Sequence, residues 1–263
     1  MASTKPIVGD WYDHPEYYDL SLRDETPQEA AFVEAACRKY CDFPLRRLVE
    51  PACGPGRLLV ELAARGYHVT GLDLNEKALD YVRKRLKRRK LRAEVLLADM
   101  TDFTLSQPAD AAVCLLNSFR HLLTESAAKS HLEAVAKSLR PGGIYILGLH
   151  LVPPDAYDNA IERWRASEGK TQISTDLRVT ATDRRRRIER LQVSLLVRRG
   201  DRLWRFRGKF DFRLYTAAQI RKLLASVPAF ELCDVYDFWY EINEPQKLNN
   251  EISDTVFILK KRG

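Results

Sequence analysis

The chain has 263 residues, 45% of them hydrophobic and 30% charged, with a formal net charge of +7. Such a balance belongs to a water-soluble globular protein, either one large domain or one domain with an elaboration. The longest apolar stretch, residues 144–152, is broken by Gly148 and His150 and falls far below the ~18 residues a spanning helix needs. Residues 1–6 lack the apolar core of a secretory signal, so the expected location is cytoplasmic, with no membrane partner.

Thr26 starts the first helical pattern, residues 26–40, with Pro27 at the first helical position and Glu29 placed to close a capping box. Strand and helix patterns then alternate. Strands are expected over 45–51, 67–72, 92–98, 109–116 and 144–149, and helices over 57–65, 75–88 and 124–139. Residues 109–116 are almost wholly apolar, as buried parallel strands are. Pro141-Gly142-Gly143 reads as the turn into the fifth strand. Three longer period-two segments follow, 171–182, 187–197 and 202–214, joined by the polar turns 183–186 and 198–201. A helix over 216–225 and strands over 230–238 and 254–260 complete the chain. The implied fold class is α/β: a Rossmann-like, doubly wound, mostly parallel seven-stranded sheet with helices on both faces and an antiparallel β insertion after strand 5. Residues 1–263 are read as a single domain, divided into a helical cover (1–44), a ligand-binding core (45–150), the β insertion on the acceptor side (160–215) and a closing segment (216–263).

Cys37, Cys41, Cys53, Cys114 and Cys233 suit no metal-ligand spacing, so free, mostly buried thiols and no metal site are expected. Basic residues clump at 83–90, seven in eight, and at 184–187, four arginines in a row. Neither clump contains an aromatic residue that would stack on bases. They read as a solvated helix end and a hairpin tip, and a nucleic-acid partner is disfavoured though left open.

The chemistry concentrates at three successive strand ends. Glu50 ends the first apolar run and is followed by Pro51-Ala52-Cys53-Gly54-Pro55-Gly56, a tight turn opening a helix. Gly54 lets a ligand approach the backbone, and the helix N-terminus behind it offers free N–H groups. Asp73 ends the second run, 17 residues past Gly56, where a carboxylate can accept both ribose hydroxyls. Asp99 ends the third. A dinucleotide turn would need a small residue where Leu59 stands, and Glu50 would repel a pyrophosphate. The pattern favours a nucleoside that carries positive charge.

These segments resemble the motifs of class I S-adenosylmethionine-dependent methyltransferases: residues 50–56, 70–75, 97–100, 117–122 and 139–143, together spanning 45–150. The resemblance implies S-adenosyl-L-methionine as cofactor and S-adenosyl-L-homocysteine as product. It implies that Ala52, Cys53, Gly54 and Gly56 form the turn against the methionine portion, with Glu50 supporting that end. Asp73 would hold the ribose, Leu74 would pack on adenine, and Asp99 and the Met100 amide would read the adenine edge. Asn117 would line the methionine side. Among Tyr12, Tyr17 and Tyr18 one tyrosine would close over the cofactor (Tyr18 is the choice), and Arg23 would pair with its carboxylate.

Methyl transfer needs mainly alignment of the two reactants. A neutral amine acceptor needs no strong base, whereas a hydroxyl benefits from one. The candidate catalytic bases are His121 and His150, both at the carboxyl edge of the parallel sheet. The expected partner is a small-molecule acceptor methylated on nitrogen or oxygen, with a homodimer left open. The rival readings are a methyltransferase for RNA or protein, a cofactor-binding regulator without turnover, and a dehydrogenase.

Overall fold

The computed structural model describes residues 7–8, 11–153 and 161–263. After the short β1 (Ile7–Val8) come α1 (Pro15–Leu22) and α2 (Thr26–Tyr40). The alternating region consists of β2 (Arg47–Pro51), α3 (Arg57–Ala64), β3 (His68–Asp73), α4 (Glu76–Arg89), β4 (Glu94–Leu97), β5 (Ala109–Cys114), α5 (Glu125–Ser138) and β6 (Leu139–His150). A meander follows: β7 (Ile161–Glu168), β8 (Thr171–Asp183), β9 (Ile188–Arg199) and β10 (Arg202–Arg213). The chain then returns through α6 (Ala217–Ala225), β11 (Phe230–Tyr236) and β12 (Asp254–Lys261). Among the described residues no helix is long and apolar enough to cross a membrane.

The main sheet has seven strands in the order β11-β12-β6-β5-β2-β3-β4, with β12 antiparallel to its neighbours and the strands from β6 to β4 parallel. The chain winds outward from β2 through β3 to β4, then returns to the other side of β2 for β5 and β6. Loops on either side of that reversal part at the carboxyl edge and leave a crevice there. Successive side chains of one strand go to opposite faces. Ile144 and Ile146 join a core with α2, α3 and α4, while Tyr145, Leu147 and Leu149 join a core with α5 and α6. Every residue of β5 is buried, as the apolar run requires.

The second sheet runs β1-β10-β9-β8-β7, antiparallel except where β1 pairs with β10. Its inner face packs Trp164, Ile173, Val193, Leu195 and Phe206 against Trp11 and Leu20 of the N-terminal segment. Among the aromatic residues of the second half, Phe206, Phe212, Tyr215, Tyr236 and Tyr240 are buried. The meander as read from sequence lacks β7, whose side chains are mostly exposed and show little apolar alternation.

Two local expectations give way to tertiary demands. The capping box of Thr26 with Glu29 is absent, and Thr26 lies inside the helix. Both side chains serve Arg57 instead, whose Nη1 donates to Thr26 Oγ1 at 2.6 Å and whose Nη2 donates to Glu29 Oε1 at 2.8 Å. A buried guanidinium has no water to replace those partners, whereas a helix end does. Residues 140–143 form not a free turn before β6 but a bulge within it: Ala109 lies opposite Leu139 while Ala111 lies opposite Ile144, and Gly142 has φ +76°. Gly143 permits this, because a Cβ there would stand 2.8 Å from the Asp110 carbonyl oxygen.

Candidate active site

The crevice at the carboxyl edge is a cavity of about 690 Å³, within the range typical of small-molecule sites. Its floor is Ala52, Gly54 and Pro55, its sides are Asp73, Leu74 and Asn75 and then Ala98 and Met100. Its cover is Tyr12, Tyr18, His121 and Phe210. Thus the ends of β2, β3 and β4 meet the N-terminal segment and the meander in one place.

The glycine turn is built from its own backbone and from Asp73. Gly56 N–H donates to the Cys53 carbonyl at 2.9 Å, and Gly54 N–H donates to Asp73 Oδ2 at 2.8 Å. Asp73 Oδ1 accepts from Asn75 N–H at 2.9 Å. Burial raises the Asp73 carboxyl above its ordinary value, and these backbone N–H groups oppose the rise. Gly54 has φ +51° and nothing within 4 Å of where a Cβ would stand, so its Cα faces open space. Gly56, at φ +66°, is different: a Cβ would meet Val82 Cγ2 at 2.7 Å. Its bareness serves the contact between α3 and α4 rather than a ligand.

Behind the turn is a smaller recess of about 40 Å³, bordered by Tyr18, Glu50, Cys53, Arg57 and Cys114. Burial pushes the Glu50 carboxyl up to about 8, against the pull of Arg57. Its Oε2 is buried without a hydrogen-bond partner among the described residues. A buried unpartnered carboxylate oxygen costs free energy unless a donor or cation meets it. Burial likewise raises the Tyr18 hydroxyl to about 12, with Arg57 opposing and the carboxylates Glu29, Asp73 and Glu50 adding to the rise.

Residues remote in sequence brace this arrangement. Asn75 caps α4 by accepting from Lys77 N–H and Ala78 N–H, while its Nδ2 donates to the Tyr12 carbonyl at 3.0 Å. The Lys77 ammonium holds Asp13 at 2.8 Å. Arg85, in the middle of the basic run, is buried: its Nη1 donates to the carbonyls of Pro55 at 3.0 Å and Gly56 at 3.3 Å and pairs with Asp19 at 2.8 Å. Below the Met100 side, His131 Nδ1 donates to the Met100 carbonyl at 2.8 Å and its Nε2 meets the Tyr145 hydroxyl at 2.7 Å. Tyr12, Asn75 and Phe210 have plain sequence signals (an aromatic, a cap, a strand alternation), but only the fold brings them together. Arg85 and His131 have none that separates them from their neighbours.

The residues singled out from sequence do not all face this cavity. Tyr18, Ala52, Gly54, Asp73, Leu74 and Met100 line it, and Leu74 is 67% exposed at the rim. Glu50 and Cys53 border the recess behind the turn. Asp99 is exposed between two lining residues, and its Oδ1 accepts from Thr101 N–H at 2.7 Å and Oγ1 at 2.8 Å. Arg23 is not at the wall: its guanidinium is held by Asp19 at 2.6 Å and Glu168 at 2.5 Å. Tyr17 packs on Phe206 instead of the cavity, with ring centroids 5.7 Å apart.

The two histidines part company. His121 lines the larger cavity with its Nε2 3.0 Å from the Tyr12 hydroxyl, and burial, then Arg120, lowers it to about 4. His150 faces a second cavity of about 310 Å³ beneath the meander. Its Nδ1 accepts from the Asn117 amide at 2.6 Å, and its Nε2 lies 3.3 Å from Asp254 Oδ1. Asn117 Oδ1 also accepts from His150 N–H at 2.8 Å, so the Asn117 amide is spent on His150. With both ring nitrogens engaged, His150 is a braced group rather than a free base. Between the cavities stand Phe212 and the buried pair of Arg120 with Glu189.

A family model described as a methyltransferase domain matches residues 49–143. The dTDP-3-amino-3,6-dideoxy-alpha-D-glucopyranose N,N-dimethyltransferase of Streptomyces fradiae is 28% identical over 209 residues, 77% of this chain and 79% of that enzyme. The glycine N-methyltransferase of Rattus norvegicus is 33% identical over 161 residues, and the chain spans about half its length, 54%, with 53% of this chain aligned. Among solved structures, CalS10, an amino pentose methyltransferase from Micromonospora echinaspora, superposes with a TM-score of 0.74 at 22% identity, covering 98% of this chain and 100% of that one. Residues 49–143 thus match a methyltransferase domain, and the chain as a whole shares the fold of the amino pentose methyltransferase CalS10.

Proposed function

We propose that this protein methylates the amine nitrogen of a small molecule of the amino sugar class. The donor suits the residues present: Gly54 leaves room against the backbone, and the orphaned Glu50 Oε2 stands behind the turn for positive charge. When bound, S-adenosylmethionine would supply a methyl carbon on a positively charged sulfur: the C–N bond would form as the C–S bond breaks, neutral S-adenosylhomocysteine would leave, and the proton of the alkylated amine would pass to water. In this reading Asp73 holds the ribose, Leu74 and Met100 flank the adenine, Asp99 takes its amino group, and Glu50 and the Gly54 backbone hold the methionine end. Residues 1–44 and 160–215 serve as the cover and acceptor side of a 45–150 core, closed by 216–263.

One observation carries the choice of nitrogen. The His121 Nε2 is taken up by the Tyr12 hydroxyl at 3.0 Å and its ring packs on Phe212 with centroids 4.7 Å apart; the same burial, then Arg120, lowers it to about 4, which leaves it a weak base. A hydroxyl acceptor would draw little help from it, while a neutral amine has its own lone pair and needs only to be oriented. The Tyr12 hydroxyl beside His121 offers a hydrogen-bond partner for that orientation. The names of the relatives from Streptomyces fradiae and Micromonospora echinaspora point the same way.

The test is transfer of a labelled methyl group from S-adenosylmethionine to nucleotide-linked amino sugars, beside the same sugars with a hydroxyl in place of the amine. Transfer to the amine, with at least a hundredfold lower kcat/KM on the hydroxyl analogue, is expected. Equal or preferred transfer to the hydroxyl, or labelling of bulk RNA in place of any sugar, would reverse the reading.

A further inference from the structure

The basic residues of this chain are unevenly placed. Residues 161–213 hold 16 of the 43 lysines and arginines but only seven of the 36 acids, leaving 27 basic against 29 acidic residues elsewhere. The whole excess of positive charge therefore belongs to the meander. Strand register places much of it on one side. Arg165 lies opposite Ser174, which lies opposite Leu196, which lies opposite Arg205; in the next row Arg163, Asp176, Ser194 and Arg207 are aligned in the same way. These side chains line a shallow hollow of about 590 Å³ on the sheet. The opposite face, with Trp164, Val193 and Phe206, packs on Trp11 and Leu20, so the hollow looks away from the donor cavity.

Asp176 neutralises Arg163 and Arg178, at 2.8 and 2.7 Å, and Asp211 neutralises Arg190 at 2.8 Å. Arg165, Arg198, Arg205, Arg207 and Lys209 share that face and have no carboxylate within ion-pair distance among the described residues. Five unneutralised cations on one sheet face repel a second copy of the same face and attract a polyanion.

We propose that this face docks double-stranded RNA through its sugar-phosphate backbone, without regard to sequence and apart from the methyl-transfer site. The outward positions carry no aromatic ring to stack on an unpaired base, which turns the choice from single strands to a duplex. Four strands span about 14 Å before side chains are added, too broad to enter a B-DNA minor groove of ~6 Å or its ~12 Å major groove. An A-form helix offers a wide, shallow minor groove lined by 2′-hydroxyls and bordered by phosphates. The arginines meet the phosphates, and the Ser174 and Ser194 hydroxyls and the Asp176 carboxylate lie between the two arginine-bearing edges, where hydroxyl groups of ribose would be.

The experiment is fluorescence anisotropy of the full chain with a labelled 20-base-pair RNA duplex from 50 to 200 mM KCl. Binding in the ~1–100 µM range is expected, with a slope of log K against log salt of about −4, because each phosphate contact contributes about −0.9. Combining Arg165→Ser, Arg205→Ser and Arg207→Ser should cut the slope by two to three and raise Kd at least tenfold at 100 mM KCl. The heat of S-adenosylhomocysteine binding should stay unchanged, which certifies the fold. Arg198→Ser with Lys209→Ser, at other points of the same face, should give a smaller loss. The proposal is overturned if the triple variant binds as the parent does, or if a DNA duplex of equal length binds as tightly. It is also overturned if vesicles rich in anionic lipid compete off the RNA with no loss in the triple variant, or if light scattering finds a dimer that the triple variant converts to a monomer.

Discussion

Gly54 and Gly56 stand two residues apart with similar positive φ, yet different things surround them. At Gly54 an added methyl group meets nothing of the protein within 4 Å, while at Gly56 it meets Val82 at 2.7 Å. The left-handed backbone alone costs a residue with a Cβ about 1–2 kcal/mol. Gly54→Ala should therefore lose about that much stability and, in addition, weaken S-adenosylhomocysteine binding at least tenfold by filling the ligand's space. Gly56→Ala should lose more stability, because α3 and α4 must part, while any folded protein keeps the open cradle at Gly54. Urea unfolding and calorimetry on both variants check this, and equal binding losses at matched stability would contradict the division. The sequence shows that both positions need glycine but not why, since Val82 reaches Gly56 only through the packing of α4 on α3. The same holds for the strand-end acids. Asp73 is legible as the end of a buried run, whereas the commitment of Arg23 to Asp19 and Glu168 depends on a strand 145 residues away.

At the scale of elements, α1 is tied to the glycine turn by one side chain from α4. Asp19 is fully buried and takes Arg85 at 2.8 Å, Arg23 at 2.6 Å and the Tyr81 hydroxyl at 3.1 Å. The same Arg85 guanidinium donates to the Pro55 and Gly56 carbonyls, so the cover helix that carries Tyr18 and the turn that carries Gly54 share a clamp. Removing one partner of a buried ion pair leaves the other charge unmet and costs about 3–5 kcal/mol. Arg85→Met should lower stability by less than that, because Arg23 and the Tyr81 hydroxyl still meet Asp19, and should also loosen donor binding. Asp19→Asn, which keeps the shape, should cost less in stability but still raise the Kd for S-adenosylhomocysteine several-fold. Unchanged donor affinity in both variants would show the clamp to be structural alone. Hydrophobic period marks α3, α4, α5 and α6 within a residue or two, because their faces are amphipathic and their ends carry local caps such as Asn75, Thr124 and Thr216. It misses α1, whose buried set is Pro15, Asp19, Leu20 and Ser21. A helix that buries its polar groups on distant arginines leaves no apolar stripe to read.

For the molecule as a whole, the proposed place of Glu50 at the donor's methionine end would join stability, donor binding and pH in one group. An unfolded glutamate titrates near ~4.3, while burial raises the folded one to about 8. Between those values the ligand-free native state holds a proton that the unfolded chain has lost, so its stability falls as pH rises. A cationic donor behind the glycine turn favours the ionised carboxylate and lowers its pKa again. In the same window binding must then release a proton, and donor affinity must climb with pH until about pH 8, where the free protein has already lost it. A ligand present at 100 times its Kd adds ~2.7 kcal/mol, which for a chain of this length raises the melting temperature by roughly 5–10 °C. At fixed S-adenosylmethionine concentration the shift should therefore be smallest at pH 6 and grow toward pH 8.5. In Glu50→Gln, which cannot ionise, the shift should be smaller at pH 8.5 and flat across the range, and the ligand-free variant should not lose stability over this interval as the parent does. Calorimetry at pH 7 in buffers of different ionisation heat reads the same proton directly. An apparent enthalpy that is independent of buffer in the parent would separate Glu50 from the donor and leave it a buried acid of the core.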